Sequence, residues 1–279
     1  MRADTVGILA CPQCGGALAA GEGSLSCTAG HSFDIARHGY ASLLLGDAHT
    51  GTADTQAMTD ARVAFLGQGH YAPIADAVAT TVADTVGDVP GCVVDVGAGT
   101  GYYLADVLER LPEHTGLALD ISKFAMRRAA RAHPRMDAVV CDAWRALPVA
   151  TGAAAAVLNV FAPRNAGEFA RILRPGGVLV IVTPTVRHLQ ELIGPLGLLS
   201  VDEDKAQRLE EQLGSRFTRV DSLAVEGPLS LTHNNTMAVA GMGPSAWHAK
   251  GTTLEGHVRE LAEPVIVTYS VVVGTYRAV

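Results

Sequence analysis

The sequence predicts an α/β protein, a doubly wound, Rossmann-like sheet domain preceded by a small cysteine-rich module. Three observations predict it. Four metal-ligating side chains, Cys11, Cys14, Cys27 and His31, are spaced C-x2-C-x12-C-x3-H. The apolar run Cys92–Val96 ends in the glycines Gly97, Gly99 and Gly101. Two further apolar runs end in the acids Asp120 and Asp142, and parallel sheets gather ligands at such carboxyl ends.

The module comes first. Zn²⁺ prefers four nitrogen or sulfur ligands in a tetrahedron. Cys11-Pro12-Gln13-Cys14-Gly15-Gly16 has the form of a knuckle, with two thiolates on a tight turn. Cys27-Thr28-Ala29-Gly30-His31 supplies the second pair. Turn residues Gly21-Glu22-Gly23 in the spacer predict a hairpin that brings the pairs together. Four ligands leave no open position, so the metal is expected to be structural. Three thiolates and a neutral imidazole around Zn²⁺ leave the site at about −1 formally.

A helix over Thr55–Leu66 follows. Cys92-Val93-Val94-Asp95-Val96 is then a strand whose glycine loop, Gly97-Ala98-Gly99-Thr100-Gly101, lets backbone approach a ligand closely. A helix is expected from Tyr102 to Leu111. The next strand, Gly116–Asp120, ends 21 residues past Gly99, the place for a carboxylate that holds two ribose hydroxyls. Ser122 is a good N-cap for a helix over Ser122–Ala132. Strands are expected over Ala138–Asp142 and Ala154–Val160. A helix through Leu173 precedes the turn Arg174-Pro175-Gly176-Gly177 and a strand over Val178–Val182. Asp95, just before the glycines, suits a cationic ligand better than a pyrophosphate.

In combination, D-V-G-A-G-T-G, L-D-I-S, C-D-A and L-R-P-G-G resemble the layout of class I S-adenosylmethionine (SAM) methyltransferases. The whole chain resembles the RlmA-type 23S rRNA guanine-N1 methyltransferases, in particular the branch tied to macrolide and tylosin resistance. Besides the zinc pattern, the resemblance rests on Phe33–Arg37 with Gly39-Tyr40, on Ala61-Arg62 with Phe65-Leu66, and on Gly69–Pro73. It rests further on Asn159–Asn165, Thr183-Pro184, Arg187-His188-Leu189 and Met242–Trp247. It implies SAM and structural zinc as cofactors, SAM contacts at Tyr71, Gly99, Thr100 and His188, and a plausible homodimer. Asp95, Gly97 and Gly101 are expected beside them, with Asp120 on the ribose and Asp142 near the adenine amine. The acceptor should meet the methyl group at Asn159–Asn165, where Asn159 and Phe161 are the expected contacts. A loop over Gly227–Lys250, with Met237, Met242 and Trp247, is a candidate cover.

Domain organisation follows: residues 1–54 as a zinc-binding module, 55–90 as linking helices, 91–279 as the SAM-dependent methyltransferase domain. The 279 residues are 48% hydrophobic and 18% charged, as in soluble proteins. No run approaches the ~20 apolar residues of a membrane span. The N-terminus lacks a signal-peptide layout, which predicts a cytoplasmic protein without membrane partners.

Charge sets the expected acceptor. Residues 1–90 carry three cations, Arg2, Arg37 and Arg62, against nine acids. The block Gly39–Leu44 has Ser42 where the family has Asn, and Gly46–Asp54 contains no Lys or Arg. An rRNA hairpin demands several phosphate contacts. The charge balance therefore predicts a small aromatic or heterocyclic metabolite as acceptor, in methylation or related cyclisation chemistry. The alternative is a 23S rRNA guanine. A third reading, a zinc-stabilised binding protein with an inactive methyltransferase fold, is disfavoured by the intact glycine loop, Asp120 and Asp142.

Overall fold

The computed structural model describes residues 1–46, 51, 53–87, 89–200, 205–243 and 251–279. Most of the arm after Gly46 and the stretch 244–250, with Trp247, lie outside them. A one-turn helix α1 (Ala3–Val6) leads into a three-stranded ribbon, β1 (Leu18–Ala20), β2 (Ser24–Cys27) and β3 (Ser32–Asp34). The β1–β2 hairpin turns at 21–23, where Gly23 has φ 79°. Then come β4 (Ala41–Ser42), α2 (Gln56–Gly67) and α3 (Ala72–Val86). The sheet domain continues with β5 (Cys92–Val96), α4 (Tyr102–Arg110), β6 (Thr115–Asp120), α5 (Lys123–Ala129), β7 (Met136–Val140), β8 (Ala154–Val160), α6 (Ala166–Ile172) and β9 (Leu173–Pro184). Last are α7 (Gln190–Leu196), α8 (Lys205–Leu213), β10 (Phe217–Leu231), α9 (His233–Gly241), α10 (Gly251–Arg259) and β11 (Val265–Ala278).

Eight strands form one sheet in the order β10-β11-β9-β8-β5-β6-β7-β4. The strands from β9 to β4 pair in parallel, while β11 runs antiparallel to β9 and β10. The winding direction reverses at β5, between β6 and β8, so the crevice at its carboxyl end is the ligand position of such a sheet. All five β5 residues are buried, as expected of a strand covered on both faces. Val93 belongs to the core cluster on the face that carries α3, α4 and α9. Its neighbour Val94 packs on the other with α6, α8 and the ribbon residues Leu9, Leu25 and Phe33. The ribbon thus does part of the work that helices do in an ordinary doubly wound fold.

The helix starts follow their caps. Thr55 accepts from Met58 N at 3.2 Å, Ser122 from Ala125 N at 3.3 Å and Asn165 from Glu168 N at 3.3 Å. Four expectations are corrected. The α5 helix ends at Ala129, three residues early. The β7 strand ends at Val140, so Asp142 lies past it in the loop. Arg174–Gly177 is an irregularity inside β9, opposite Ala154 and Ala156, rather than a turn before it. Over its described part, up to residue 243, the expected loop Gly227–Lys250 is instead the end of β10 followed by α9, which Thr232 caps through Asn235 N. Among the described residues, no helix is long and apolar enough to cross a membrane.

Candidate active site and metal centre

The ribbon brings the four expected zinc ligands together, with their donor atoms all within 4.8 Å of one another. Cys14 Sγ and Cys27 Sγ are 3.7 Å apart, and His31 Nδ1 lies 3.5 Å from Cys11 Sγ and 3.4 Å from Cys27 Sγ. A zinc tetrahedron with Zn–S near ~2.3 Å has sulfur–sulfur edges of about 3.8 Å. The donor set therefore fits Zn²⁺, and the protein carries a structural zinc on these residues.

The glycine loop closes β5 at the switch point. Gly97, Gly99 and Gly101 have φ of 80°, 54° and 79°, a region that favours glycine. The Gly97 and Ala98 amides donate to Leu119 O at 2.8 and 3.0 Å. Asp120 fixes the loop from the next strand: Gly99 N donates to its Oδ2 at 2.9 Å and Ser122 N to its Oδ1 at 2.8 Å. Burial nevertheless pushes the Asp120 carboxyl up, against these two donors. Asp142 stands nearby with Trp144 N donating to its Oδ1 at 2.9 Å. Gly97, Gly99, Asp120, Asp142 and Phe161 line a cavity of about 170 Å³.

A second, smaller cavity lies on the other side of the loop, bordered by Tyr71, Asp95, Thr100 and Tyr103. Asp95 is 1% exposed, and neither carboxylate oxygen has a hydrogen-bond partner. Burial first, and the Asp120 charge second, push its carboxyl up to about 8. A buried acid without partners favours a cation. The two cavities therefore offer a hydroxyl-binding acid on one side of the loop and a charge-seeking acid on the other. That donor chemistry fits SAM.

A third cavity, of about 530 Å³, adjoins them and is lined by Tyr71, Phe161, Arg164, His188 and Met242 among others. Phe161 borders all three spaces. Its φ of 54° is unusual for a bulky side chain, and Leu189, which lines the same cavity, shares it. Such strain persists where the surroundings enforce it, as at functional sites. Ser270 N donates to His188 Nδ1 at 3.1 Å, which leaves the ring proton on Nε2, facing Tyr71 Oη at 3.0 Å. Tyr71 thus accepts from His188, and its own hydroxyl proton is free to point elsewhere.

Asn159 stands apart from the other expected residues. It is fully buried and borders none of the three cavities. Its Nδ2 donates to Val96 O at 3.1 Å and Pro163 O at 2.8 Å, tying β5 to the turn that carries Phe161. Arg62 and Arg164 were missed as site residues. Arg62 borders all three cavities, donating to Asp54 Oδ2 at 2.7 Å and Met242 O at 2.8 Å. Arg62 had a visible signal, as one of only three cations before residue 90. Arg164 lies inside the expected acceptor segment Asn159–Asn165, but only the folded chain shows its Nε buried beside the cavity without a partner.

Counting charge by sequence segment also proves misleading. Desolvation, with the charges of Arg127 on α5, Arg37 on the ribbon and Arg131 just past α5, depresses the His38 imidazole, and Arg131 Nη2 lies 3.0 Å from His38 Nδ1.

Comparison with known proteins covers both parts. A zinc-ribbon family model described as RlmA, N-terminal, matches residues 9–45, and a Methyltransferase domain model matches 93–177. A Streptomyces fradiae protein named 23S rRNA (guanine(748)-N(1))-methyltransferase is 47% identical over 272 residues, covering 97% of each chain. A Micromonospora griseorubida protein, provisionally named a 23S rRNA (guanine-N1)-methyltransferase, is 48% identical over 297 residues, covering 100% of both. A Bacillus halodurans structure, provisionally described as a methyltransferase, superposes with a TM-score of 0.51 at 13% identity, covering 72% of this chain and 97% of the other.

Proposed function

The chain belongs to the RlmA-type 23S rRNA guanine-N1 methyltransferase family, and we propose that it methylates N1 of a guanine in 23S rRNA. One observation carries the reading: two relatives named for that reaction match essentially end to end, zinc ribbon included. The small-metabolite acceptor inferred from charge is withdrawn on the same ground. Its premise was the scarcity of cations before residue 90, and folding brings cations from later segments to the ribbon.

SAM, when bound, supplies a methyl group on a cationic sulfur that leaves as a neutral thioether. The reading gives Asp120 the ribose hydroxyls and Asp95 the cationic end of the cofactor. Asp142, past its strand end, stands towards the adenine. A guanine entering the 530 Å³ cavity meets the Phe161 ring and the Tyr71 hydroxyl. A base must leave its stack to be reached in this way, and an aromatic face compensates part of that loss. Guanine N1 gives up its proton to solvent as it forms the new N–C bond. Holding N1 in line with the methyl group contributes to the rate by positioning. Asn159 acts behind this arrangement, as a positioning residue for Phe161.

The test is methylation of a 23S rRNA fragment by the zinc-loaded protein with SAM, read by nucleoside mass spectrometry. N1-methylguanosine at one position is the expected product; its absence, or methylation at another atom, removes the reading. A second measurement addresses Asp95. Its carboxyl is largely protonated at pH 7, since it titrates near about 8. A bound cation favours the ionised form, so SAM binding should release up to about one proton at pH 7. Calorimetry in buffers of different ionisation heat should show that release, and Asp95→Asn should abolish it. Equal heats in both buffers would contradict the role given to Asp95.

A further inference from the structure

Away from these cavities, one surface gathers positive charge. A groove of about 470 Å³ runs between the start of α2 and α5 with the residues just past its end, lined by Gln56, Asp60, Phe124, Arg127, Arg128 and Arg131. The ribbon borders it, because Arg131 Nη2 donates to His38 Nδ1 at 3.0 Å and Gly39 lies against Ala130. Lys123 Nζ sits 5.3 Å from the centre of the Phe124 ring. Lys123, Arg127, Arg128, Arg131 and Arg37 thus converge on one side of a chain with 21 basic residues and a net charge of −7.

The arrangement is unfavourable for a helix with only solvent to face. Within α5, Lys123 and Arg127 stand at i, i+4, which places like charges side by side, and Arg131 follows just past the helix end. Lys123 stands in the first turn, where the helix dipole disfavours a cation. One acid answers the groove: Asp60, 2.9 Å from Arg128. Arg37 and Arg127 make no ion pair among the described residues. A polyanion offsets this repulsion, and the partly buried Phe124 ring offers a face for stacking.

We propose that this groove grips the phosphodiester backbone of the substrate RNA, with Phe124 stacking on an unpaired nucleotide. The inference rests on the rRNA reading above and deepens it by placing the RNA. The groove is connected to the site: Ser122 Oγ, at the start of α5, donates to Asp54 O at 2.7 Å, and Asp54 pairs with Arg62 at the cavities. RNA held there touches the ribbon and the methyltransferase sheet together.

The test compares the zinc-loaded wild type with Arg127→Gln, Arg127→Gln/Arg131→Gln and, as a control on the opposite sheet edge, Arg219→Gln. Binding of a 23S rRNA fragment is measured across a salt series, with SAM binding alongside. Each lost phosphate contact should lower the slope of log K against log salt by about 0.7–0.9. The double variant is therefore expected to lose roughly 1.5 units of slope and about tenfold or more in affinity, with SAM binding unchanged. Arg127→Gln should show about half the slope change, and it breaks no hydrogen bond or ion pair among the described residues. The groove is wrong if the double variant keeps the wild-type slope and affinity, or if SAM binding falls in parallel. If the wild type methylates the fragment while the variants match it, the groove alone fails. If the wild type neither binds nor methylates the fragment, the acceptor reading fails first.

Discussion

Replacing Gly97 by alanine is expected to abolish SAM binding and to destabilise the protein by about 3 kcal/mol. Two independent costs meet at this position. Its φ of 80° lies in the left-handed region, which costs a residue with a Cβ roughly 1–2 kcal/mol. The added Cβ would also stand 2.3 Å from Ala162 Cβ, in the turn that carries Phe161, and forced overpacking adds typically about 1–3 kcal/mol. Relief requires that turn to move away from the loop, which opens the cavities on both sides. Gly99→Ala is the informative comparison. Its φ is 54°, but the new Cβ would meet only the Arg62 side chain, at 3.5 Å. It should lose about 1 kcal/mol, from the backbone alone. Thermal unfolding and SAM titration of both variants check this, with a drop of roughly 5–10 °C for Gly97→Ala. An alanine variant at 97 that melts with the wild type and binds SAM would remove the argument.

Cys11→Ser is expected to release the zinc and lower the melting temperature of the whole protein in a single transition. Cys11 is 2% exposed, inside the cluster that joins Leu9, Leu25 and Phe33 to Val94, Leu117 and Val139. The backbone is joined as well: Ala10 N donates to Pro148 O at 3.1 Å and Ala150 N to Ile8 O at 2.8 Å. Structural zinc contributes on the order of 10 kcal/mol to small zinc modules. Only part of that falls on the sheet, and a loss of at least about 3 kcal/mol is expected. Metal content and calorimetry decide the matter. A separate low-temperature transition of the ribbon, with the main transition unmoved, would show an independent appendage instead.

What could be read from the sequence was local or strongly periodic. The zinc ligands were legible because both pairs are set by short spacings. The strands Cys92–Val96 and Ala154–Val160 were legible because burial on both faces writes a continuous apolar run. The long-range features were not. Ala41–Ser42 carries no strand signal of its own, and it becomes one by pairing with Val139 and Val140. The polar His233-Asn234-Asn235 looked like loop, although Thr232 before it caps a helix. Asn159 looked like an acceptor contact from its place at a strand end, but it borders none of the cavities and its amide nitrogen donates to Val96 O and Pro163 O. The acceptor was misjudged for a related reason. Charge was counted along the chain, whereas a polyanion meets a surface, and Arg37 joins Arg127 and Arg131 only after folding.

The two-residue strand β4 has a consequence of another kind. It belongs to the ribbon side of the chain, yet it forms the last rung of the large sheet, beside β7. It therefore anchors the ribbon at a set offset from the glycine loop, and the two cannot swing apart as hinged jaws without breaking the sheet. On the proposed rRNA reading, an enzyme so built would measure its substrate like a fixed caliper. It would take the base that arrives at the right distance from the held part of the RNA, while neighbouring bases of the same chemistry fall short or overshoot.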